Sequence, residues 1–383
     1  MVTLFSRLAV EPHPTESATF IPRNPALWLP PGVRSVYGGL IIGLALQSAR
    51  RTVPAHLGLQ STHCYFLRPG VAGHEMKYVV STLQDGKAFM RREVKGWQKG
   101  KLFFVLMASF TVAPEVLPER IFKRGDVRKE EETPSKVSNS LTDMSQPWYE
   151  DPSGRNGEGR RVKEGFQVPF PGDILLPYDQ CESNESFIAR RLEATWDVPQ
   201  WKRDFLTTWI EQRATSPFLS AVARLKPGVT CPPEFFVDGN AATRMTWNRP
   251  TTTADEVIDE EAFKAMIAFI SDYQLVGATT RAMGINMSTT PHVTMIASLD
   301  HSVHYYPFPP DLDYRKPTLH VMEAQVGDFS TARATARGRV YSHDGVLLAV
   351  TCQEGAIAWK GDGEPRRGLA ASGVDEEDLM AKL

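Results

Sequence analysis

The sequence predicts an α+β protein assembled from two copies of one unit, a helix followed by antiparallel strands. Three observations carry this. Val36–Val53 and Asp259–Val276 each repeat apolar residues at a helical period. Short strand-like runs follow each helix. The landmarks within those runs recur in the same order, which reads as a weak internal duplication. His63-Cys64-Tyr65-Phe66 answers to His304-Tyr305-Tyr306, and Arg91-Arg92 to Arg337 and Arg339. The hairpin glycines Gly100 and Gly345 set the offset, near 245 residues.

In chain order, Gly38, Gly39 and Gly43 cluster in the first helix. Glycine costs stability inside a helix, so the cluster predicts close packing against another layer. Strands are expected at Thr62–Leu67, Met76–Leu83, Phe89–Gln98 and Leu102–Thr111, the last pair joined at Lys99-Gly100. Arg124–Arg161 is rich in charge, Ser, Pro and Gly and reads as a surface loop or linker. Glu185–Ala214 recovers a helical period, with Trp196, Trp201, Phe205 and Trp209 as candidate buried positions. A strand at Ala241–Asn248 precedes the second helix, which carries acids in its first turn where they suit the helix dipole. Strands then follow at Met295–Tyr306, Thr318–Val326, Ala332–Ser342 and Val346–Gln353. The expected organisation is a repeat over 1–115, a divergent segment over 116–240, a second repeat over 241–360 and a tail over 361–383.

A length of 383 residues allows several sizeable cores. The net charge of −2 lacks the basic excess that broad nucleic-acid binding needs. No apolar run is long enough for a membrane span, and the N-terminus lacks a signal-peptide core. Cys64, Cys181, Cys231 and Cys352 are widely spaced without a CxxC, which fits a reducing compartment. The closing Ala381-Lys382-Leu383 resembles a peroxisomal address that an import receptor reads. A peroxisomal location is therefore expected, with the cytoplasm as the alternative.

The segments that carry chemistry are Val36-Tyr37-Gly38-Gly39, His63 through Gly70, Asp85-Gly86 with Phe89, Ala108-Ser109-Phe110, Ser271-Asp272, Ser298-Leu299-Asp300-His301-Ser302, and Asp344-Gly345 through Gln353-Glu354-Gly355. Together, over about 30–115 and 240–360, they resemble the acyl-CoA thioesterase II family, the TesB-like double-hotdog enzymes of bacteria and peroxisomes. The resemblance implies a double hotdog fold, an acyl-CoA substrate and no metal or bound cofactor. It also implies a site of Asp272, Ser298 and Gln353. The sequence context of the acid is Ile-Ser-Asp followed by Tyr273-Gln274, where the family usually has Ala-Ser-Asp.

Thioester hydrolysis needs a positioned water, a base and donors for the oxyanion. A desolvated Asp272 has its basicity raised, and Ser298 and Gln353 offer donors and acceptors to hold the water. The oxyanion donors, backbone N–H groups near a helix start, are implied by the resemblance alone. No G-x-S-x-G elbow is present. The first helix, Gly38–Arg50, has no acid, so one site per chain is expected, in the second copy. Taken singly, Asp272 is an ordinary helix-end residue, and Ser298 and Gln353 are ordinary strand residues; only the joint match makes a site. His301 and His304, three apart on a strand, face opposite sides and read as structural. Lys87, Arg91, Arg92 and Lys95 read as a solvated charged face, with contact to CoA phosphates as the alternative. The alternatives within this frame are a biosynthetic thioesterase releasing a specialised acyl chain and a silent acyl-CoA-binding protein. The oligomeric state stays open: a double hotdog mimics one dimer by itself, while exposed sheet edges invite a homo-oligomer.

Overall fold

The computed structural model describes residues 3–24, 27–30, 35–112, 148–151, 160–163, 168–194, 200–213, 215–230, 236–237, 240–285, 289 and 291–361. The closing tripeptide, Cys231 and the side chains of Trp196 and Trp201 lie outside the described residues.

The first half runs α1 (Leu4–Leu8), β1 (Val10–Pro12), β2 (Thr19–Pro22), α2 (Gly38–Arg50), β3 (Leu57–Phe66), β4 (Lys77–Asp85), β5 (Phe89–Gln98) and β6 (Lys101–Val112). The middle holds a ribbon of β7 (Trp148–Asp151) and β8 (Arg160–Lys163), then α3 (Asn184–Ala194), α4 (Gln200–Arg213), β9 (Phe218–Val222), and a second ribbon of β10 (Phe236–Val237) and β11 (Asn240–Ala241). The second half runs β12 (Thr243–Pro250), α5 (Glu260–Ser271), α6 (Gly277–Ala282), β13 (His292–Ser298), β14 (Asp300–Tyr305), β15 (Thr318–Asp328), β16 (Arg333–Tyr341) and β17 (Leu347–Lys360).

One 13-stranded sheet joins both halves, in the order β1-β2-β4-β5-β6-β3-β14-β17-β16-β15-β12-β9, with β13 also pairing β17. The halves meet where β3 and β14 pair antiparallel, Cys64 opposite His301 and Thr62 opposite Val303. The expected α+β duplication is therefore one continuous sheet, and β9, from the segment read as divergent, extends its far edge.

Helices α2 and α5 lie against this sheet and against each other. Nearly every residue of α2 from Gly39 to Ala49 is buried, which an acid-free, apolar sequence allows. Gly39 faces the Phe269 carbonyl so closely that no Cβ would fit. That contact explains Gly39, which brings the backbone of α2 onto α5, while Gly38 leaves room for Asp272 and Phe66, and Gly43 for Leu8. Asp259 caps α5, its carboxylate accepting from the Ala262 N–H at 2.7 Å. In the first hairpin, Lys99 and Gly100 take φ of 51° and 69°, the paired left-handed geometry of a tight β-turn.

Several elements depart from the sequence expectation. The second helix ends at Ser271 rather than running to Val276: Asp272 is its C-cap, and Gln274 turns the chain with φ of 61°. The expected helix over 185–214 is two helices, with Trp209 buried and Phe205 half-buried. The expected strand Met295–Tyr306 breaks at Leu299 into β13 and β14. Gln353 lies within the 14-residue β17 rather than at a strand end. Of the charges read as a solvated face, Arg92 turns inward, with 3% exposure, and holds Asp85 at 2.7 Å and Thr52 at 3.0 Å.

Candidate active site

The break at Leu299 organises the site. The Leu299 N–H donates to the Glu354 carbonyl at 2.9 Å, but the Glu354 N–H turns to the Asp300 carboxylate at 2.7 Å. Pairing on β17 therefore slips by one residue, from Ser298 opposite Gly355 to Ser302 opposite Cys352. In a regular strand, residues three apart face opposite sides. The slip lets Ser298 and His301 both face the helices, beside Gln353. His304 stays on the outer face, stacked edge-on against His63 at 5.3 Å.

Asp272, Ser298 and Gln353, far apart in sequence, meet here. Gln353 Nε2 donates to Asp272 Oδ1 at 2.5 Å and to Ser298 Oγ at 2.9 Å. Ser298 Oγ in turn donates to the same Oδ1 at 3.2 Å. One amide thus fixes both partners, and both side-chain donors fall on one carboxylate oxygen. The other oxygen, Oδ2, faces Gly38, where a Cβ would stand 2.6 Å away. The Gly39 N–H also donates to the carboxylate. This is the start of α2, which has no side-chain cap. Leu40 and Ile41 give their N–H groups to the Tyr37 carbonyl, so the Asp272 carboxylate takes the place of a side-chain cap at the positive helix end, an anion-favouring place.

Burial raises the pKa of Asp272, and its hydrogen bonds from Gln353, Ser298 and Gly39 only partly offset that. Burial, and then the charge of Asp272, push the Tyr37 hydroxyl well above its ordinary range. That hydroxyl donates to the Phe269 carbonyl at 2.7 Å, tying α2 to the last turn of α5. Beneath the acid, Ser271 Oγ meets His301 Nε2 at 2.9 Å. Burial holds His301 down to about 3, so its ring is neutral and serves as a prop.

A pocket of about 300 Å³ opens over Asp272 and Ser298. Its walls come from both halves: Val36 to Gly38 and Phe66 to Gly70 from the first, Asp272 to Gly277 and Ile296 to Leu299 from the second. Gln353, fully buried, stands behind the carboxylate and does not line the pocket. Sequence reasoning missed one wall, Trp209 from α4. Arg213, on the same helix, sits wholly buried over the rings of Phe218, Tyr273 and Trp209, at 5.1, 5.5 and 5.7 Å, and pairs with Glu185 at 2.6 Å. The period-matched tryptophans of this helix were the available signal. The sequence offered nothing to say that they reach the site.

Comparison with known proteins shows the family and the fold. The family model described as the acyl-CoA thioesterase N-terminal domain matches residues 25–111, and that of the C-terminal domain matches residues 193–357. Acyl-coenzyme A thioesterase 8 of Homo sapiens is 27% identical, over 87% of this chain and 83% of its own length. Acyl-CoA thioesterase 2 of Haemophilus influenzae is 25% identical, over 85% of this chain and 88% of its own. A peroxisomal acyl-coenzyme A thioester hydrolase of Saccharomyces cerevisiae is 31% identical over a shorter stretch, 22% of this chain and 24% of its own. Among solved structures, the acyl-CoA thioesterase II TesB2 of Mycobacterium marinum superposes with a TM-score of 0.55 at 18% identity, covering 93% of this chain and 98% of that one. At that identity the likeness bears on the fold alone. The second family match begins inside the segment read as divergent, which is where α4 and β9 join the second half.

Proposed function

Since the chain belongs to the acyl-CoA thioesterase family, we propose that it hydrolyses acyl-CoA to free acid and CoA at the Asp272 pocket, by activating water. The observation that carries this reading is the convergence of Gln353 and Ser298 on one oxygen of a buried carboxylate whose other oxygen faces Gly38 at the start of α2.

In this reading a water rests on Asp272 Oδ2, beside Ser298, and gives Asp272 its proton as its oxygen attacks the thioester carbonyl. The desolvated carboxylate is a stronger base than an exposed one, and it is already oriented. Negative charge gathers on the carbonyl oxygen, where the positive end of the α2 dipole receives it. The C–S bond then breaks, and the proton held by Asp272 goes to the departing thiolate. Gln353 acts from behind, holding the carboxylate and Ser298 in place, and no serine ester forms. The apolar walls supplied by Val36, Ile41, Phe66, Trp209 and Ile296 suit an acyl chain.

Thiol release from a panel of acyl-CoAs, short to long, tests the reading on the intact protein and on Asp272→Asn. A fall in kcat of about 10² to 10⁴ in a folded variant is expected, the usual worth of a general base. In the intact protein kcat should rise with pH through an apparent pKa above the ordinary aspartate range, since burial raises that of Asp272. Turnover that survives in Asp272→Asn would remove the site assignment while leaving the family membership untouched.

A further inference from the structure

Gln274 is not accounted for by the hydrolytic chemistry, and three observations single it out. It takes φ of 61°, a left-handed conformation that side chains larger than Asn or Asp seldom adopt. It lines the pocket, two residues past Asp272. Its side-chain Oε1 is buried with no hydrogen-bond partner among the described residues. An orphaned buried amide oxygen is costly, by about 1 to 3 kcal/mol in general. Strained backbone at a site that also leaves a polar atom unsatisfied points to something supplied from outside the protein.

The chemistry of the substrate says what that is. A fatty acyl chain has no hydrogen-bond donor. The thiol arm of CoA does: its terminal amide N–H is separated from the thioester sulfur by only an ethylene unit. An acceptor close to Asp272 is therefore matched to that arm and not to the acyl tail. We propose that Gln274 is a specificity-determining residue whose Oε1, turned from its buried position into the pocket, accepts a hydrogen bond from the cysteamine amide of the thioester, so that the enzyme reads the thiol side of its substrate at this position. This assignment rests on the Asp272 pocket being the hydrolytic site.

The test uses two octanoyl thioesters that differ in one group. One is the thioester of N-acetylcysteamine; the other is that of 2-acetoxyethanethiol, in which an ester oxygen replaces the amide N–H. The intact protein should prefer the amide substrate in kcat/KM by about tenfold, one hydrogen bond's worth. In Gln274→Leu the preference should fall to near unity, with the loss carried by KM and little change in kcat. Gln274→Gly, which also relieves the positive φ, should lose the preference in the same way and serves if the leucine variant folds poorly. An unchanged preference in both variants would overturn the proposal, as would an equal loss on both substrates, which a purely structural role would give. Failure of the hydrolytic site itself reads out separately, as turnover that survives in Asp272→Asn.

Discussion

The two ends of the α2–α5 helix pair face each other across the same sheet and are built in opposite ways. The helices run antiparallel, Gly39 against Phe269, Gly43 near Ala265 and Arg50 beside Glu261. At one end, the start of α2 meets the end of α5: glycines replace side chains, Asp272 has no cationic partner among the described residues, and the pocket opens. At the other end, Glu261 accepts from the Leu59 N–H at 3.0 Å and pairs with Lys264 at 3.0 Å, with Arg50 at 3.9 Å. Lys264, itself buried, also reaches Glu260 at 2.7 Å. Both ends place an acid beside a helix end. One acid is neutralised by its neighbours and closes the fold; the other is left with neutral donors and the positive start of a helix. On the proposed reading, what surrounds each acid, and not the fold, is what makes Asp272 the base and leaves Glu261 a structural group.

The comparison is broken most forcefully by removing each acid in turn. Glu261→Gln should lose about 1.5 kcal/mol in urea unfolding, because it removes one of the two carboxylates on the buried Lys264 and leaves Glu260 as the other, while kcat is unchanged. Asp272→Asn should do the reverse, losing turnover yet melting no lower than the parent near neutral pH. The sign follows from its raised pKa. Protonated Asp272 is favoured in the fold, so its contribution is full below the unfolded pKa and is lost as pH rises through the folded one. A stability loss in both variants would erase the contrast.

Gly38→Ala sharpens the open end. The new methyl would stand 2.6 Å from Asp272 Oδ2 and 3.1 Å from Phe66 Cζ. A displacement of the carboxylate on the scale of 1 Å should cost kcat/KM about 10²-fold. The Gly58→Ala change at the closed end, where a Cβ meets Lys264 Nζ at 3.1 Å, should leave kcat/KM unaffected.

The prop beneath the open end gives a smaller effect, read by acid. His301 and His320 are both buried with pKa held down to about 3, against an ordinary 6.5. A depressed histidine contributes stability above its unfolded pKa and loses it as pH falls toward the folded value. Stability should therefore decline below about pH 6.5, by about 1.4 kcal/mol per pH unit for each ring. His301→Gln should remove one ring's share of that slope in urea midpoints measured against pH. The smallest expected effect is at the wall: Trp209→Ala should shift the chain-length profile toward longer acyl groups by a few-fold in kcat/KM, with Trp209→Phe intermediate. A uniform loss at every length would remove Trp209 from the specificity wall.

Much of this was legible in the residues. The amphipathic period of the two helices, the hairpin glycines and the strand runs place the α+β duplication, because short-range pattern determines them. The joint spacing of Asp272, Ser298 and Gln353 was readable only through family resemblance; singly, each is an ordinary residue. The end of α5 at Ser271 was hidden, since nothing in Ser271-Asp272-Tyr273-Gln274 announces a left-handed turn at a glutamine. The slip at Leu299 was hidden as well, because a side chain, Asp300, replaces a backbone partner there. The reach of Trp209 into the pocket is a tertiary fact with no local signature.

The most direct measurement on the central claim is a single turnover of acyl-CoA with enzyme in excess, in heavy-oxygen water. Water activated by Asp272 and attacking the thioester should put heavy oxygen into the acid released in that first turnover, and none into Asp272. Unlabelled acid from the first turnover, with the label found in the Asp272 carboxylate, would mean that the aspartate itself attacks the thioester, and would contradict the account.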